Sequence, residues 1–365
     1  MARCLDTAKQ LADEIIIVDT GSVDKSIQIA GQYTDKIYSF AWQDDFALAR
    51  NHSFSKASGD YLIWLDADDV IPEKSLAQIS ALRKVLETEQ PDVVMCPYEV
   101  GFDDSGNPSL SFFRERIFKR DGNFIWQGRV HECIAPRGKI LRSDFTISHL
   151  GSEKPRGRRN LHIYQRWAAE EPLSPRDKFY YGRELYYHGL YTEAIAVLKE
   201  MLSGEGWYVN QIEACRTLGL IYSARGEQNQ ALQAYFQSFC YGEPRAVVCC
   251  EIGNLFKKSN RLKEAAFWYE TALVCRDHSA EGDFEEASCR GMIPLLELVC
   301  CYYALGEREK AENYHKKTEE LAAWHPSVIY NHQFFNSIRR AEEPLDSCAQ
   351  PPRNNPEAHP TAQRE

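Results

Sequence analysis

The chain has 365 residues, 44% of them hydrophobic and 26% charged, with a net charge of −10. That is enough apolar material for a sizeable core and enough length for two domains. The acidic balance excludes a general nucleic-acid binder, which needs a basic face, but not a nucleotide ligand, because a bound metal reverses the sign locally. No run of eighteen apolar residues occurs, and MARCLDTAKQLADE lacks the apolar centre of a signal peptide, so no membrane span is expected and a cytoplasmic protein is. Twelve cysteines with no CxxC and no Cys/His ligand spacing read as reduced, buried small hydrophobes, with no structural zinc.

In chain order, Leu5 to Asp13 carries a short helical period. The run Ile15-Ile16-Ile17-Val18, bounded by Asp19-Thr20-Gly21-Ser22, predicts a strand buried on both faces, as in a parallel sheet. A helix is expected from Val23 to Tyr33, a strand at Ile37 to Phe40 and a helix at Phe46 to Lys56. A strand from Tyr61 to Leu65, a helix from Pro72 to Leu86 and a strand from Asp92 to Pro97 follow. Alternation of this kind is an α/β layer. From Val100 to His149, short aromatic and β-branched stretches (Ser111–Phe118, Asn123–Gln127, Phe145–His149) are expected to add antiparallel strands. The basic, turn-rich GSEKPRGRRN marks a junction.

Beyond it the pattern is helical and repeats. Ala194, Ala231, Ala265 and Ala311 occupy one local frame and lie 37, 34 and 46 residues apart. A period near 34 with a turn, a small Ala and aromatics at helical spacing matches the tetratricopeptide repeat. The expected division is 1–155 as an α/β domain, 156–176 as linker and first helix, 177–340 as repeats and 341–365 as a disordered tail rich in Pro, Asn and Gln.

Chemistry concentrates at strand tips. Asp66, Asp68 and Asp69 follow the Tyr61–Leu65 strand, where open α/β sheets place their ligand crevice. Clustered acids at a buried strand end are costly unless a cation or partner sits there, although an acidic turn capping the next helix would read the same. Asp66 and Asp68 suit a hard divalent cation such as Mg²⁺ or Mn²⁺, which keeps water and substrate phosphates in its other positions. Asp19 closes the first strand as an acceptor, and Ser22 or Asp24 can cap the following helix. Asp66-Ala-Asp-Asp-Val70 also satisfies the first motif of a haloacid-dehalogenase-type phosphatase, in which Asp66 would be the nucleophile.

The segments IVDTGSVDKS, FALARNHSFSKASGDYLIWLDADD, RIFKRDGNFIWQGRVHECI and FTISHLG resemble glycosyltransferase family 2, the inverting nucleotide-sugar transferases of GT-A fold. A tetratricopeptide tail accompanies this domain in one bacterial branch. The resemblance implies that Asp19, Ser22, Asp24, Arg50 and Asp66 bind the nucleotide donor, a UDP-sugar held through Mg²⁺ or Mn²⁺. It implies that Asp66 and Asp68 are the metal and diphosphate site, with His149 as a third metal contact. Glu132, in GRVHEC, is the candidate base for the acceptor hydroxyl, or else a salt-bridge partner of Arg129 or another basic residue. Trp42 and Trp126 are expected in the core.

One departure stands out. The family begins with a strand before the helix at which this chain starts, so the IIIVD strand is expected to lack a partner on one edge. The expected fold is a GT-A-like α/β domain lacking that strand, followed by an all-α repeat domain. The expected function is glycosyl transfer to a protein, peptide or glycan, with the repeats engaging an acceptor or partner protein. A repeat scaffold with an inactive transferase half is the alternative.

Overall fold

A computed structural model describes residues 1–102, 108–151, 157–278, 282, 284 and 286–342. The expected disordered tail lies outside these residues from 343 onward, as does the centre of the expected junction, 152–156.

The N-terminal half runs α1 (Ala2–Leu11), β1 (Ile17–Asp19), α2 (Ser26–Ala30), β2 (Ile37–Ser39), α3 (Phe46–Lys56), β3 (Tyr61–Ile63), β4 (Asp69–Val70), α4 (Glu73–Leu76) and α5 (Ile79–Glu89). It continues through β5 (Val93–Phe102), β6 (Pro108–Lys119), β7 (Ile140–Arg142) and β8 (Ile147–His149). Cys4, Leu5 and Ala8 bury one face of α1, and the Asp45 carboxylate caps α3 by accepting from Leu48 N at 2.9 Å. β1 and β2 form a two-stranded parallel sheet. The other strands form a six-stranded sheet in the order β3-β6-β5-β8-β4, with β7 also on β5. β5 runs parallel to β7 and β8 but antiparallel to β6, and β4 is antiparallel to β8.

Antiparallel pairing therefore begins earlier than the sequence suggests, since β3 itself pairs antiparallel with β6. Further elements differ: β8, within Phe145–His149, is parallel to β5 though antiparallel to β4, and the helix expected from Val23 to Tyr33 is only Ser26–Ala30. The helix expected from Pro72 to Leu86 is broken into α4 and α5 around Ala77 and Gln78. Asn123–Gln127 is not a strand: the Asn51 amide accepts from Trp126 N at 2.8 Å and donates to Trp126 O at 3.0 Å, taking the place of a neighbouring strand. Phe124 and Trp126 are core residues all the same.

Among the described residues, β1 is hydrogen-bonded to a strand on one edge and β3 likewise. Between them lies a cleft of about 1050 Å³, walled by Ile15 to Val18 on one side and Tyr61 to Asp66 on the other, with α1 and α3 closing it. The expected unpartnered edge is thus present, but burial of the first strand on both faces is not: Ile17, Val18 and Asp19 are each only half-buried, because open space borders them.

Glu14 ties the two sheets across this gap. Its carboxylate accepts from Lys36 Nζ at 2.5 Å, beside β2, and from Ser58 N at 2.8 Å, before β3. The Lys36 contact first, then the Ser58 amide, lower its pKa from 4.5 to about 2. A depressed carboxylate pKa stabilises the fold above the unfolded value and ceases to do so as pH falls through the folded one. Glu14→Gln is therefore expected to cost roughly 1 kcal/mol above pH 4.5, and the gap to wild type should close towards pH 2. Acid-unfolding profiles of the two proteins measure this, and an offset undiminished at pH 2 would refute it.

The helical half comprises α6 (Arg159–Glu170), α7 (Pro175–Tyr187), α8 (Tyr191–Leu202), α9 (Tyr208–Ala224), α10 (Gln228–Gln237), α11 (Ala246–Lys258), α12 (Leu262–Val274), α13 (Met292–Ala304), α14 (Arg308–Ala322) and α15 (Pro326–Glu342). α7 to α14 stack as consecutive antiparallel pairs. Ala194, Ala231, Ala265 and Ala311 sit in the second helix of each pair, fully buried. Opposite them, the first helices carry Gly182, Gly219 and Gly253. A Cβ at Gly219 would lie 2.1 Å from the Tyr235 ring and one at Gly253 2.8 Å from the Tyr269 ring, so the missing side chain is the seat of the aromatic. Among the described residues no helix is long and apolar enough to cross a membrane.

Candidate donor site at the strand tips

The turn after β3 is organised by Asp69, which is fully buried. Its carboxylate accepts from Asp66 N at 3.0 Å, Tyr98 OH at 2.9 Å and Arg116 Nη1 at 3.0 Å, and lies 3.0 Å from His149 Nδ1. Burial pushes the Asp69 pKa up, but the His149 and Arg116 contacts outweigh it and the net shift is downward, so the group is an anion. The same Asp69 contact raises the His149 pKa. Arg116, itself fully buried, is sandwiched between Trp64 at 3.7 Å and Tyr98 at 4.1 Å.

This network sets the geometry of the acids around it. β4 pairs Asp69 with His149, and Leu150 N donates to Asp68 O at 3.0 Å, which carries Asp68 to within 3.6 Å of His149 Nδ1. Asp68, Asp69 and His149 each present one ligand atom within 4.8 Å of the others, a set able to hold a divalent cation. Asp68 and His149 are thus together as expected, while the Asp66 carboxylate points elsewhere.

It points to Arg50. The guanidinium donates to Asp66 Oδ1 at 2.7 Å and to Glu132 Oε1 at 2.5 Å, and lies 4.7 Å from the Trp64 ring and 4.9 Å from Trp126. Burial lowers the Arg50 pKa, yet Asp66 and Glu132 carry it above the usual value. Arg50 and Asp66 line the cleft. Glu132, with a side chain only 10% exposed, therefore does have a basic partner. It is not Arg129, which pairs with Glu170 at 2.5 Å and Glu171 at 3.2 Å.

The loop bearing Glu132 is closed by reciprocal backbone bonds between Gln127 and Cys133 at 2.9 and 3.0 Å. It needs left-handed backbone at Gly128 (φ +90°) and, against its side chain, at His131 (φ +52°). The helical half holds it there. Tyr164 OH donates to Val130 O at 3.2 Å, and His131 stacks on Tyr180 at 4.5 Å with Nε2 3.2 Å from Glu184. Val130 packs with Ile163, Tyr164, Trp167 and Leu173, and with Trp42 and Phe46.

At the other tip, the Asp19 carboxylate accepts from Gly21 N at 3.1 Å and Ser22 N at 3.2 Å, and the Ser22 side chain first among its partners lowers its pKa. Asp24 accepts from Ser26 N at 2.9 Å, opening α2, while Ser22 is exposed and caps nothing itself. Thr20 lines the cleft beside this turn. The residues missed from sequence were Asp69 as anchor, Tyr98 and Arg116. Two partners of Asp69, Tyr98 and Arg116, come from the β5–β6 hairpin, and no local pattern announces them.

Residues 1–146 match the model of Glycosyl transferase family 2. The SPbeta prophage-derived glycosyltransferase SunS of Bacillus subtilis (strain 168) is 29% identical over 213 residues, 55% of this chain and 50% of SunS. A TPR repeat-containing protein of Synechococcus elongatus is 32% identical over 311 residues, 84% of this chain and 65% of that protein. The chain thus spans between half and two thirds of the length of these relatives. The solved structure of MamA aligns with 46% of this chain and 90% of MamA, with a TM-score of 0.36 and 20% identity. Residues 1–146 are thus similar to glycosyl transferase family 2, and a stack of helix pairs follows them.

Proposed function

We propose that this chain is a metal-dependent inverting glycosyltransferase that moves a sugar from a UDP-linked donor to a protein, peptide or glycan acceptor. The observation that carries the reading is Arg50, which joins the Asp66 carboxylate to Glu132 beside the cleft of a family 2 domain. In this reading Asp19, Ser22 and Asp24 receive the nucleoside, and Arg50 with Asp66 frames the diphosphate. Asp68, Asp69 and His149, next to Asp66, would hold Mg²⁺ or Mn²⁺, each offering one ligand atom. Such an ion supplies positive charge to the diphosphate leaving group. Glu132 takes the acceptor proton as the acceptor oxygen bonds to C1 of the sugar and the bond from C1 to the diphosphate oxygen breaks, releasing UDP.

Residues 1–155 form the catalytic domain in this proposal, 156–176 the linker and first helix, and 177–340 the repeats that engage the acceptor or a partner protein. A cytoplasmic location is part of this proposal, supported by cysteines such as Cys96 and Cys215 that are buried as small side chains. The family match is to a transferase, which leaves Asp66 as a phosphatase nucleophile without support.

The test is a panel of nucleotide sugars incubated with the full chain, read by release of nucleoside diphosphate. UDP release that requires Mg²⁺ or Mn²⁺ and vanishes in Asp68→Ala is the expected result. Turnover in excess chelator would overturn it. The open edges of β1 and β3 favour one second reading, a binding scaffold without transferase activity; a folded protein inactive with every donor would support it.

A further inference from the structure

Far from the strand tips, in the last helices of the repeat domain, three side chains converge. His315 and Glu319 lie one turn apart on α14, and α15 brings His332 against them. His315 Nε2 is 3.5 Å from Glu319 Oε1, His332 Nδ1 is 2.5 Å from the same oxygen, and all three ligand atoms lie within 4.8 Å of one another.

His315 is the telling member. Its side chain is 4% exposed, and Nε2 is buried with no hydrogen-bond partner. The other ring nitrogen explains why. Thr318 Oγ1 donates its single proton to His315 O at 2.6 Å, so at 3.3 Å from His315 Nδ1 it can only accept. With the ring proton on Nδ1, facing this acceptor, Nε2 presents a bare lone pair towards a carboxylate oxygen. Two acceptors facing each other inside a protein are unfavourable unless a cation stands between them. A histidine whose second nitrogen is hydrogen-bonded to a protein oxygen is also how metal-ligating imidazoles are oriented.

We propose that His315, Glu319 and His332 form a binding site for a borderline divalent ion, Zn²⁺ by its donor set. Two imidazoles and one carboxylate suit Zn²⁺ better than Mg²⁺ or Ca²⁺, which prefer oxygen. Tetrahedral Zn²⁺ with bonds near 2.0 Å spaces its ligand atoms about 3.3 Å apart. The His315–Glu319 separation already matches, and His332, 56% exposed, is free to rotate outward by the rest. Glu319 is a third exposed, so a fourth position opens to water. The neighbouring Arg339 is occupied by Glu312 at 2.8 Å and does not supply the missing charge. The ion would pin α15 to α14 at the end of the helical stack, a site that sequence spacing of cysteines does not reveal.

The experiment uses the untagged full chain, stripped with chelator, kept reduced and supplied with excess Mg²⁺ so that oxygen-rich sites are filled. Co²⁺ is titrated as the spectroscopic probe and displaced by Zn²⁺. The expected result is one equivalent with the visible bands of tetrahedral Co²⁺ and no near-ultraviolet thiolate band, lost in both His332→Ala and Glu319→Gln. Amide exchange in α15 should slow about 100-fold when Zn²⁺ is at 100 times its Kd, in wild type only. Both substituted side chains are partly exposed, and circular dichroism checks that the helices persist. Equal Co²⁺ binding by wild type and His332→Ala, or a thiolate spectrum, would overturn the proposal and leave Glu319–His332 as an ion pair only. None of these outcomes depends on the transferase reading.

Discussion

Asp69→Ala is expected to destabilise the N-terminal domain by about 3–5 kcal/mol, the range for removing one partner of a buried ion pair. The substitution leaves Arg116 charged and fully buried, with Nε and Nη2 already lacking acceptors. It also strips the acceptor from Asp66 N, Tyr98 OH and His149. The ring faces of Trp64 and Tyr98 and one bond from Arg116 Nη1 to Trp64 O at 3.2 Å are what remain. A two-domain chain does not unfold in one step, so the measurement is hydrogen exchange at Val93 to Tyr98 in β5, which reports this domain alone. Asp69→Asn, which keeps the shape and loses the charge, should fall between. Unchanged protection in Asp69→Ala would mean that the aromatic sandwich alone sustains the guanidinium.

Glu132→Gln is expected to lower the rate of sugar transfer by about 10²–10⁴, the span of a positioned general base. Glutamine keeps an acceptor for Arg50 Nε, so the loop and the Asp66 contact should survive, and donor binding should not change. The split between an unchanged donor Kd and a collapsed kcat is the readout. Arg50→Lys tests the other half of the arrangement: a point charge cannot serve two carboxylates through a planar fork, so both donor binding and kcat should fall. A Glu132→Gln enzyme with wild-type kcat would remove Glu132 from the chemistry and leave it as the anchor of Arg50.

The parts legible in the sequence were those written in local periods. The four buried alanines of the repeats were visible because each helix pair restates one pattern. Asp66 and Asp68 stood out as candidates because they follow an apolar strand, and His149 because it ends one. What escaped depends on pairings between distant segments. Arg50 and Glu132 are 82 residues apart, and Asp69 is defined by a hairpin that begins 24 positions later, at Val93. Asn123–Gln127 looked like a strand for its aromatics. Those rings are core, but an asparagine side chain supplies the backbone bonds that a strand would have supplied. His315, Glu319 and His332 escaped for the same reason: the helix turn that joins two of them is local, while the packing of α15 that adds the third is not.

The loop of Glu132 has one further consequence. Gly128 to Cys133 lies outside the named strands, and the side chains that bond or stack on it at Val130 and His131 come from α6 and α7. Whatever differs in affinity between two positions of α7 is thereby linked to whatever occupies Glu132. Linkage of this kind is reciprocal: if a ligand on the helical stack tightens acceptor binding by some factor, the acceptor tightens that ligand by the same factor. Tyr164, Tyr180 and Glu184 are the side chains through which such linkage would pass.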